Sequence, residues 1–262
     1  MIKVAVAGVL GKMGSEVVKA VNDDKNAVLT GAVDIKEIGK DSGILVLNAE
    51  NNVKIVDDIS KFSENPDVIV DFTQPSAIFE NAVKYIKNGI KPVIGTTGMS
   101  SEQINELKSL SEKYNVGCFI APNFTTGAVL MMMFAQTAAK YFDNAEIIEY
   151  HHNQKKDAPS GTALKTAELM AAVTSNAATG NCPETELLKG SRGGIAPSDI
   201  HVHSVRMPGY MASQEVLFGS KGQILSIRHD SVDRACYMPG VLMAIKYVVD
   251  TNKFVYGLDN IL

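Results

Sequence analysis

From Lys3 to Ala121 the chain alternates short apolar runs with amphipathic stretches of helical period, and that alternation admits few folds. Lys3–Ala7, Val28–Val33, Val68–Asp71, Pro92–Ile94 and Val116–Ala121 are apolar, rich in β-branched residues and too short for helices. Ser15–Val21, Ser76–Lys87 and Glu102–Tyr114 lie between them. Their apolar residues recur at helical spacing, as Ile78, Phe79, Val83 and Ile86 do, and as Ile104, Leu107 and Leu110 do. Strands separated by helices pair in parallel, and the crossovers place helices on both faces of the sheet.

The pattern changes after Pro122. Gly127–Tyr141 predicts a long helix, Glu146–Tyr150 a strand and Thr162–Ala172 another helix. His201–Arg206, Gln214–Phe218 and Gln223–His229 are strand-like runs split by Pro208-Gly209 and Gly219–Gly222, which suits a hairpin-linked, antiparallel or mixed sheet. Ser175–Gly194 has little periodicity and is expected to be a long surface loop. Pro239–Val249 predicts a final helix with Val241, Leu242, Ile245 and Val248 inward, expected to cross back onto the first domain because an amphipathic helix needs a partner. The expected class is α/β: a Rossmann-like doubly wound parallel sheet (residues 1–122 and 234–262) plus a smaller α+β domain with a mixed sheet (123–233).

Charge and composition exclude several functions. A net charge of -4 gives no clustered basic face for nucleic acid. The longest apolar run, Ala128–Ala135, falls far short of the roughly 20 residues that span a bilayer, so no membrane partner is expected. The opening MIKVAVAG lacks the charged-then-apolar plan of a signal peptide. Cys118, Cys182 and Cys236 are odd in number and widely spaced. They read as reduced thiols of a cytoplasmic protein rather than a disulfide framework or metal site.

The first strand runs straight into Gly8-Val9-Leu10-Gly11-Lys12-Met13-Gly14, and a helix follows. Glycines permit a tight turn and close approach to a pyrophosphate, and the helix opening presents free N–H groups. The spacing is G-x-x-G-x-x-G, so taken alone it also suits a strand-to-helix turn without a ligand. Asp34, about 20 residues on, ends the second strand where a carboxylate can accept ribose hydroxyls. A lone Asp favours NAD, because it repels a 2′-phosphate; Lys36 and Lys12 partly offset that repulsion, so use of both NADH and NADPH is expected. Phe72–Pro75, Gly95-Thr96-Thr97-Gly98 and Ala121-Pro122-Asn123-Phe124 leave the carboxyl ends of later strands, where ligands sit in open parallel sheets.

The most informative stretch runs from Glu149 to Ala163: E-Y-H-H-N-Q-K-K-D-A-P-S-G-T-A. Two histidines lie close to a lysine pair. Ser160-Gly161-Thr162 then opens a helix, with serine at the favoured capping position. The opening amides suit a carboxylate, Lys155 adds a full positive charge, and a histidine can donate a proton near neutral pH. On a strand, adjacent histidines point to opposite faces, so one of the two is expected to reach the chemistry. Neither His151-His152 nor His201-x-His203 has zinc-site spacing, so no metal is expected. Ser160 lacks a nucleophile elbow.

The N-terminal V-A-V-A-G-x-x-G-x-M-G and the central E-x-H-H-x-x-K-x-D-x-P-S-G-T-A resemble the signatures of the 4-hydroxy-tetrahydrodipicolinate reductase (dihydrodipicolinate reductase) family. The resemblance extends over nearly the whole chain, through His203–Arg206 and from Arg228-His229-Asp230 to Pro239-Gly240. It implies NADH- or NADPH-dependent reduction of a small cyclic dicarboxylate in lysine and diaminopimelate synthesis. It further implies His151 as proton donor, Lys155 as second catalytic residue, and His152, Ser160, Gly161 and Thr162 as substrate contacts. Gly8, Val9, Leu10, Gly11, Lys12, Met13, Asp34, Gly95, Thr96, Thr97, Ala121, Pro122, Asn123 and Phe124 would contact the cofactor. The second domain would bind substrate and build a homotetramer. Two positions depart from some members: Ile35 stands where they carry an arginine for the 2′-phosphate, and Met207-Pro208-Gly209 where they read Gly-Gly-Asp. A different two-domain dehydrogenase, or a dinucleotide-binding redox sensor, would share the glycine loop but would not need the histidine pair, lysine and capped helix together.

Overall fold

The computed structural model describes residues 1–174 and 185–262. Cys182 and the 175–184 part of the expected surface loop lie outside the described residues. In chain order the elements are β1 (Ile2–Ala7), α1 (Gly14–Asp23), β2 (Ala27–Val33), α2 (Ser42–Leu47), β3 (Ile55–Val56), β4 (Val68–Asp71), α3 (Ile78–Lys87), β5 (Lys91–Ile94), α4 (Ser101–Tyr114) and β6 (Cys118–Ile120). There follow α5 (Thr126–Ala138), β7 (Asn144–His151), α6 (Gly161–Ala171), β8 (Gly194–Ile195), β9 (His201–Arg206), β10 (Ala212–Ser220), β11 (Gln223–Ser231), α7 (Met238–Val249) and β12 (Phe254–Tyr256). The chain divides into two units, Met1–Thr126 with Tyr237–Leu262, and Gly127–Cys236.

In the first unit seven parallel strands are ordered β12-β6-β5-β4-β1-β2-β3. The central strands β1 and β4 are fully buried from Val4 to Ala7 and from Val68 to Asp71. Helices cover both faces, so these strands read as continuous apolar runs rather than alternating ones. α3 and α4 share a core with Ile94, Cys118 and Ile120 on one face; α1 and α7 meet on the other. α4 begins with a full capping box between Ser100 and Gln103. α7 belongs to this unit and buries Val241, Ala244, Ile245 and Val248, while Leu242 is only half-buried. A Cβ on Gly240 would lie 2.1 Å from the Phe124 carbonyl oxygen, so glycine lets α7 approach the loop after β6. The short α2, β3, β8 and β12 escape sequence reading, because two to six residues cannot display a period.

In the second unit five strands are ordered β11-β10-β7-β9-β8, with β7 and β9 parallel and the other pairs antiparallel. One face buries Ile147, Val202, Val216 and Phe218 against Ala163, Ala167 and Met170 of α6 and Ala135 of α5. On β7 the pleat puts Ile147, Glu149 and His151 on that same face. Across the other, Tyr150 packs against Tyr210 with ring centres 5.1 Å apart, and the Arg228 guanidinium lies 5.0 Å from the Tyr150 ring centre. Among the described residues no helix is long and apolar enough to cross a membrane.

Candidate active site

From β1 the first sheet grows outward through β2 and β3, then resumes with β4 on the other side of β1. At such a switch the loops after the two central strands part and leave a crevice beyond their carboxyl ends. Gly8 follows β1 with φ +75°, and a Cβ there would lie 2.8 Å from the Phe72 carbonyl oxygen after β4. Glycine is demanded twice, by left-handed backbone and by close approach. At Gly14, the first residue of α1, a Cβ would lie 2.0 Å from the Gly8 carbonyl oxygen. A cradle that any Cβ would fill, at the opening of a helix, fits a dinucleotide pyrophosphate. Val9 is fully buried, so only its backbone can serve a ligand, while Lys12 is exposed. Asp34 lies just past β2. Its Oδ2 accepts the Leu10 N–H at 3.0 Å and its Oδ1 the Lys36 N–H at 3.2 Å, which ties the carboxylate to the glycine loop and leaves lone pairs for ribose hydroxyls.

The remaining loops are held by two residues, one that the sequence placed only as part of a ligand-facing loop and one to which it assigned no role. The first is Phe72: a Cβ on Gly95 would lie 2.0 Å from its ring, and the ring meets Phe124 edge-on at 6.0 Å. Phe124 is 1% exposed, so its side chain is part of the wall's packing, and a ligand there would meet its backbone. The second is Asp71, wholly buried at the end of β4. Its carboxylate accepts the Thr73 N–H at 2.8 Å, the Thr73 hydroxyl at 2.6 Å, the Asn81 amide at 3.2 Å, the Tyr85 hydroxyl at 2.8 Å and the Thr96 hydroxyl at 3.3 Å. Burial and then the Asp71 charge push the Tyr85 phenol well above its usual range, which keeps it a donor. Asp71 therefore binds the loop after β4 to the loop after β5. Thr96, Thr97, Ala121 and Pro122 line a cleft with Tyr256 of β12, and the Asn123 side chain accepts the Thr125 N–H at 2.8 Å.

In the second unit the central motif is gathered around one carboxylate. Glu149 is fully buried, and its Oε2 is paired with His151 Nδ1. Arg206, from the end of β9, forks onto it, with Nη1 donating to Oε2 at 2.9 Å and Nη2 to Oε1 at 2.7 Å. The Ser160 N–H donates to Oε1 at 3.3 Å, and the Ser160 hydroxyl accepts the Ala163 N–H at 3.2 Å as the cap of α6. One acidic side chain thus joins the expected proton donor to the start of the expected carboxylate-binding helix. His151 Nε2 has no partner among the described residues. The Lys155 ammonium rests on Asp157 at 2.7 Å, an exposed carboxylate that an anionic ligand can displace. Gly161 is exposed at the mouth of α6, with Thr162 next to it.

One sequence expectation is corrected here. β7 ends at His151, so His152 lies beyond the strand, exposed in the following loop, and the strand pleat does not decide which way it points. The role of Glu149 was detectable, since it precedes His151 by two residues on a strand and therefore shares its face. Arg206 carried no such signal; it reaches the site only because β9 pairs with β7 in a register that sets it beside His151.

Burial pushes the Glu149 carboxyl up, but the hydrogen bonds from His151, Arg206 and Ser204 outweigh it and hold the group down at about 2. A carboxyl whose pKa is lower in the folded than in the unfolded chain stabilises the fold fully above its unfolded value, and this stability is lost as pH falls toward the folded value. Thermal melts are therefore expected to show wild-type stability falling from about pH 4.5 toward pH 2 more steeply than in Glu149→Gln, where no carboxyl can titrate. Parallel curves would remove Glu149 from the acid response.

Two family models together match almost the whole chain: "Dihydrodipicolinate reductase, N-terminus" over residues 2–124 and "Dihydrodipicolinate reductase, C-terminus" over residues 127–262. A 4-hydroxy-tetrahydrodipicolinate reductase of Gloeothece citriformis is 47% identical, covering 100% of this chain and 98% of its own length. One of Syntrophomonas wolfei is 50% identical over 99% of this chain and 98% of its own length. Among solved structures, a dipicolinate-bound dihydrodipicolinate reductase from Paenisporosarcina superimposes with a TM-score of 0.88, 43% identity and 100% coverage of both chains.

Proposed function

This chain belongs to the dihydrodipicolinate reductase family, and on that premise we propose how its residues share the reaction. The activity is NAD(P)H-dependent reduction of 4-hydroxy-tetrahydrodipicolinate in lysine and diaminopimelate biosynthesis. A bound nicotinamide supplies the hydride. In the first unit, Gly8–Met13 and Asp34 hold the pyrophosphate and adenosine ribose, and Gly95–Thr97 with Ala121–Phe124 hold the nicotinamide end. In the second, Lys155, His152 and the α6 opening at Ser160, Gly161 and Thr162 take the two carboxylates of the substrate. Lys155 must exchange Asp157 for substrate, so its charge is neutralised in either state. The 4-hydroxyl leaves as water before or during the cycle; His151 releases the Nε2 proton to the substrate atom that becomes basic once hydride has arrived, and Lys155 assists.

The observation that carries this reading is the convergence on Glu149 of the imidazole of His151 and the capped start of α6. A non-catalytic dinucleotide sensor has no use for an oriented proton donor. The direct test is to supply enzymatically generated 4-hydroxy-tetrahydrodipicolinate and follow loss of NADH absorbance. No substrate-dependent loss with either dinucleotide would sink the reading.

Cofactor choice follows from the residue after Asp34. Ile35 is 84% exposed and has no charge to offer a 2′-phosphate. Ile35→Arg is expected to raise kcat/KM for NADPH relative to NADH by roughly tenfold, about 1.4 kcal/mol of new phosphate contact. An unchanged ratio would move 2′-phosphate recognition away from this position. We also propose a cytoplasmic homotetramer. β11 is an edge strand with Ile224 80% and Leu225 37% exposed, a combination that seeks a covering partner, and size-exclusion with light scattering reads the assembly directly.

A further inference from the structure

We propose that Glu149 and Arg206 are positioning residues for proton delivery: the Arg206-clamped carboxylate fixes His151 with a proton on Nδ1, so that Nε2 is the nitrogen that serves the substrate. The inference rests on the assignment of His151 above and adds what makes that histidine competent.

Every partner of the Glu149 carboxylate is a donor. Arg206 gives two N–H groups, at 2.9 and 2.7 Å, and Ser160 gives its backbone N–H at 3.3 Å. The Ser204 hydroxyl adds another. An ionised carboxylate accepts all of them; an amide or a protonated acid would turn a donor toward a donor. The group facing His151 is therefore acceptor-only, and Nδ1 must carry hydrogen to meet it. Arg206 is itself held, since its Nη1 also donates to the Val205 carbonyl at 2.8 Å and its Nη2 to the Asp157 carbonyl at 2.8 Å. The clamp thus ties β7 and β9 to the loop that carries Lys155. In the proton step the Nε2–H bond of the imidazolium breaks, and its electron pair stays on the ring. The proton joins the reduced substrate, leaving a neutral imidazole with hydrogen on Nδ1. Glu149 stays ionised throughout. The His151 side chain is 16% exposed, so water can return the proton.

The competing explanation is a buried ion pair with a purely structural role that merely touches His151. The double variant Glu149→Met with Arg206→Met separates the two. Replacing a buried pair by apolar groups of similar size is often neutral for stability, whereas removing one partner strands a charge. The double variant is expected to stay folded at the assay temperature, melting below wild type only by what the Ser160 N–H and the Ser204 hydroxyl lose with their acceptor, and to bind NADH within about twofold. Its kcat is expected to fall roughly 10- to 100-fold, part of the ~10²–10⁴ that general acid catalysis contributes. The ¹⁵N shifts of His151 should change from a single Nδ1–H form, in the neutral wild-type ring, to a mixture of tautomers. Wild-type turnover in the double variant, or a wild-type ring protonated on Nε2 instead, overturns the proposal; the second measurement needs no variant to fold. His151→Gln run alongside distinguishes the failures. Full turnover there refutes the role of His151 itself, whereas a slow His151→Gln beside a fast double variant refutes only the clamp.

Discussion

His151→Gln is expected to lower kcat by about 10²–10⁴, the range a positioned general acid supplies, while NADH affinity stays within twofold. Glutamine keeps a polar side chain of similar reach, and its amide can still meet the Glu149 carboxylate, so the fold around β7 is preserved. What it lacks is an ionisable ring nitrogen that can hand a proton to the substrate. The loss should therefore appear in kcat and kcat/KM together, as for an interaction made in the transition state, with little change in ground-state binding. Lys155→Met is the useful contrast. It removes the ammonium that exchanges Asp157 for substrate, so KM for the dicarboxylate should rise along with the fall in kcat. Steady-state kinetics on both variants, with NADH binding followed by fluorescence, distinguishes these patterns. Full turnover at neutral pH in His151→Gln would remove the proposed donor.

Gly14→Ala is expected to abolish tight dinucleotide binding, raising Kd for NADH by at least ~100-fold, or about 2.7 kcal/mol. The new Cβ would lie 2.0 Å from the Gly8 carbonyl oxygen, 2.7 Å from the Gly8 carbonyl carbon and 3.0 Å from the Val9 Cα. All three are backbone atoms, so no rotamer change relieves the contact. Either α1 backs away from the turn or the turn opens, and both displace the amides that would meet a pyrophosphate. Overpacking of this kind also destabilises, here by about 3 kcal/mol, or roughly 6–12 °C in Tm. Circular dichroism confirms that the variant is folded at the assay temperature, and titration with NADH reads the affinity. A folded Gly14→Ala that binds NADH like wild type would mean that the close approach of α1 to the loop has no part in binding.

The first domain's architecture was legible because its signals are local. Val68–Asp71 reads from three β-branched apolar residues in a row ending on an acid, and Ile78 to Ile86 from a helical period; the structure places β4 and α3 on those stretches. The glycine turn is legible because Gly8, Gly11 and Gly14 fall within one loop and the first residue of a helix. The motif from His151 to Thr162 is legible for a related reason: the proposed proton donor, a cation and a helix cap are within a dozen residues of one another. Where the period was too short to register, as in β3 and β12, there was nothing to read, although both strands complete the parallel sheet.

The supports of the site were not legible, and the reason is distance along the chain. Phe72 reads as an ordinary loop aromatic until the fold brings it against Gly8, Gly95 and Phe124. Asp71 reads as a strand-end acid until Asn81, Tyr85 and Thr96 turn their donors toward it.

By itself the amino-acid order determined which segments become the main strands and helices, where a glycine cradle begins, and which side chains are the candidates for proton transfer and charge. Period, capping and glycine geometry act within a few residues and need no partner from elsewhere. Only the tertiary structure decided that Arg206 meets Glu149 across 57 residues of sequence, and that β4 lies beside β1. Strand register, and the removal of a carboxylate from water into a ring of donors, are settled by surfaces that come together only when the whole sheet closes.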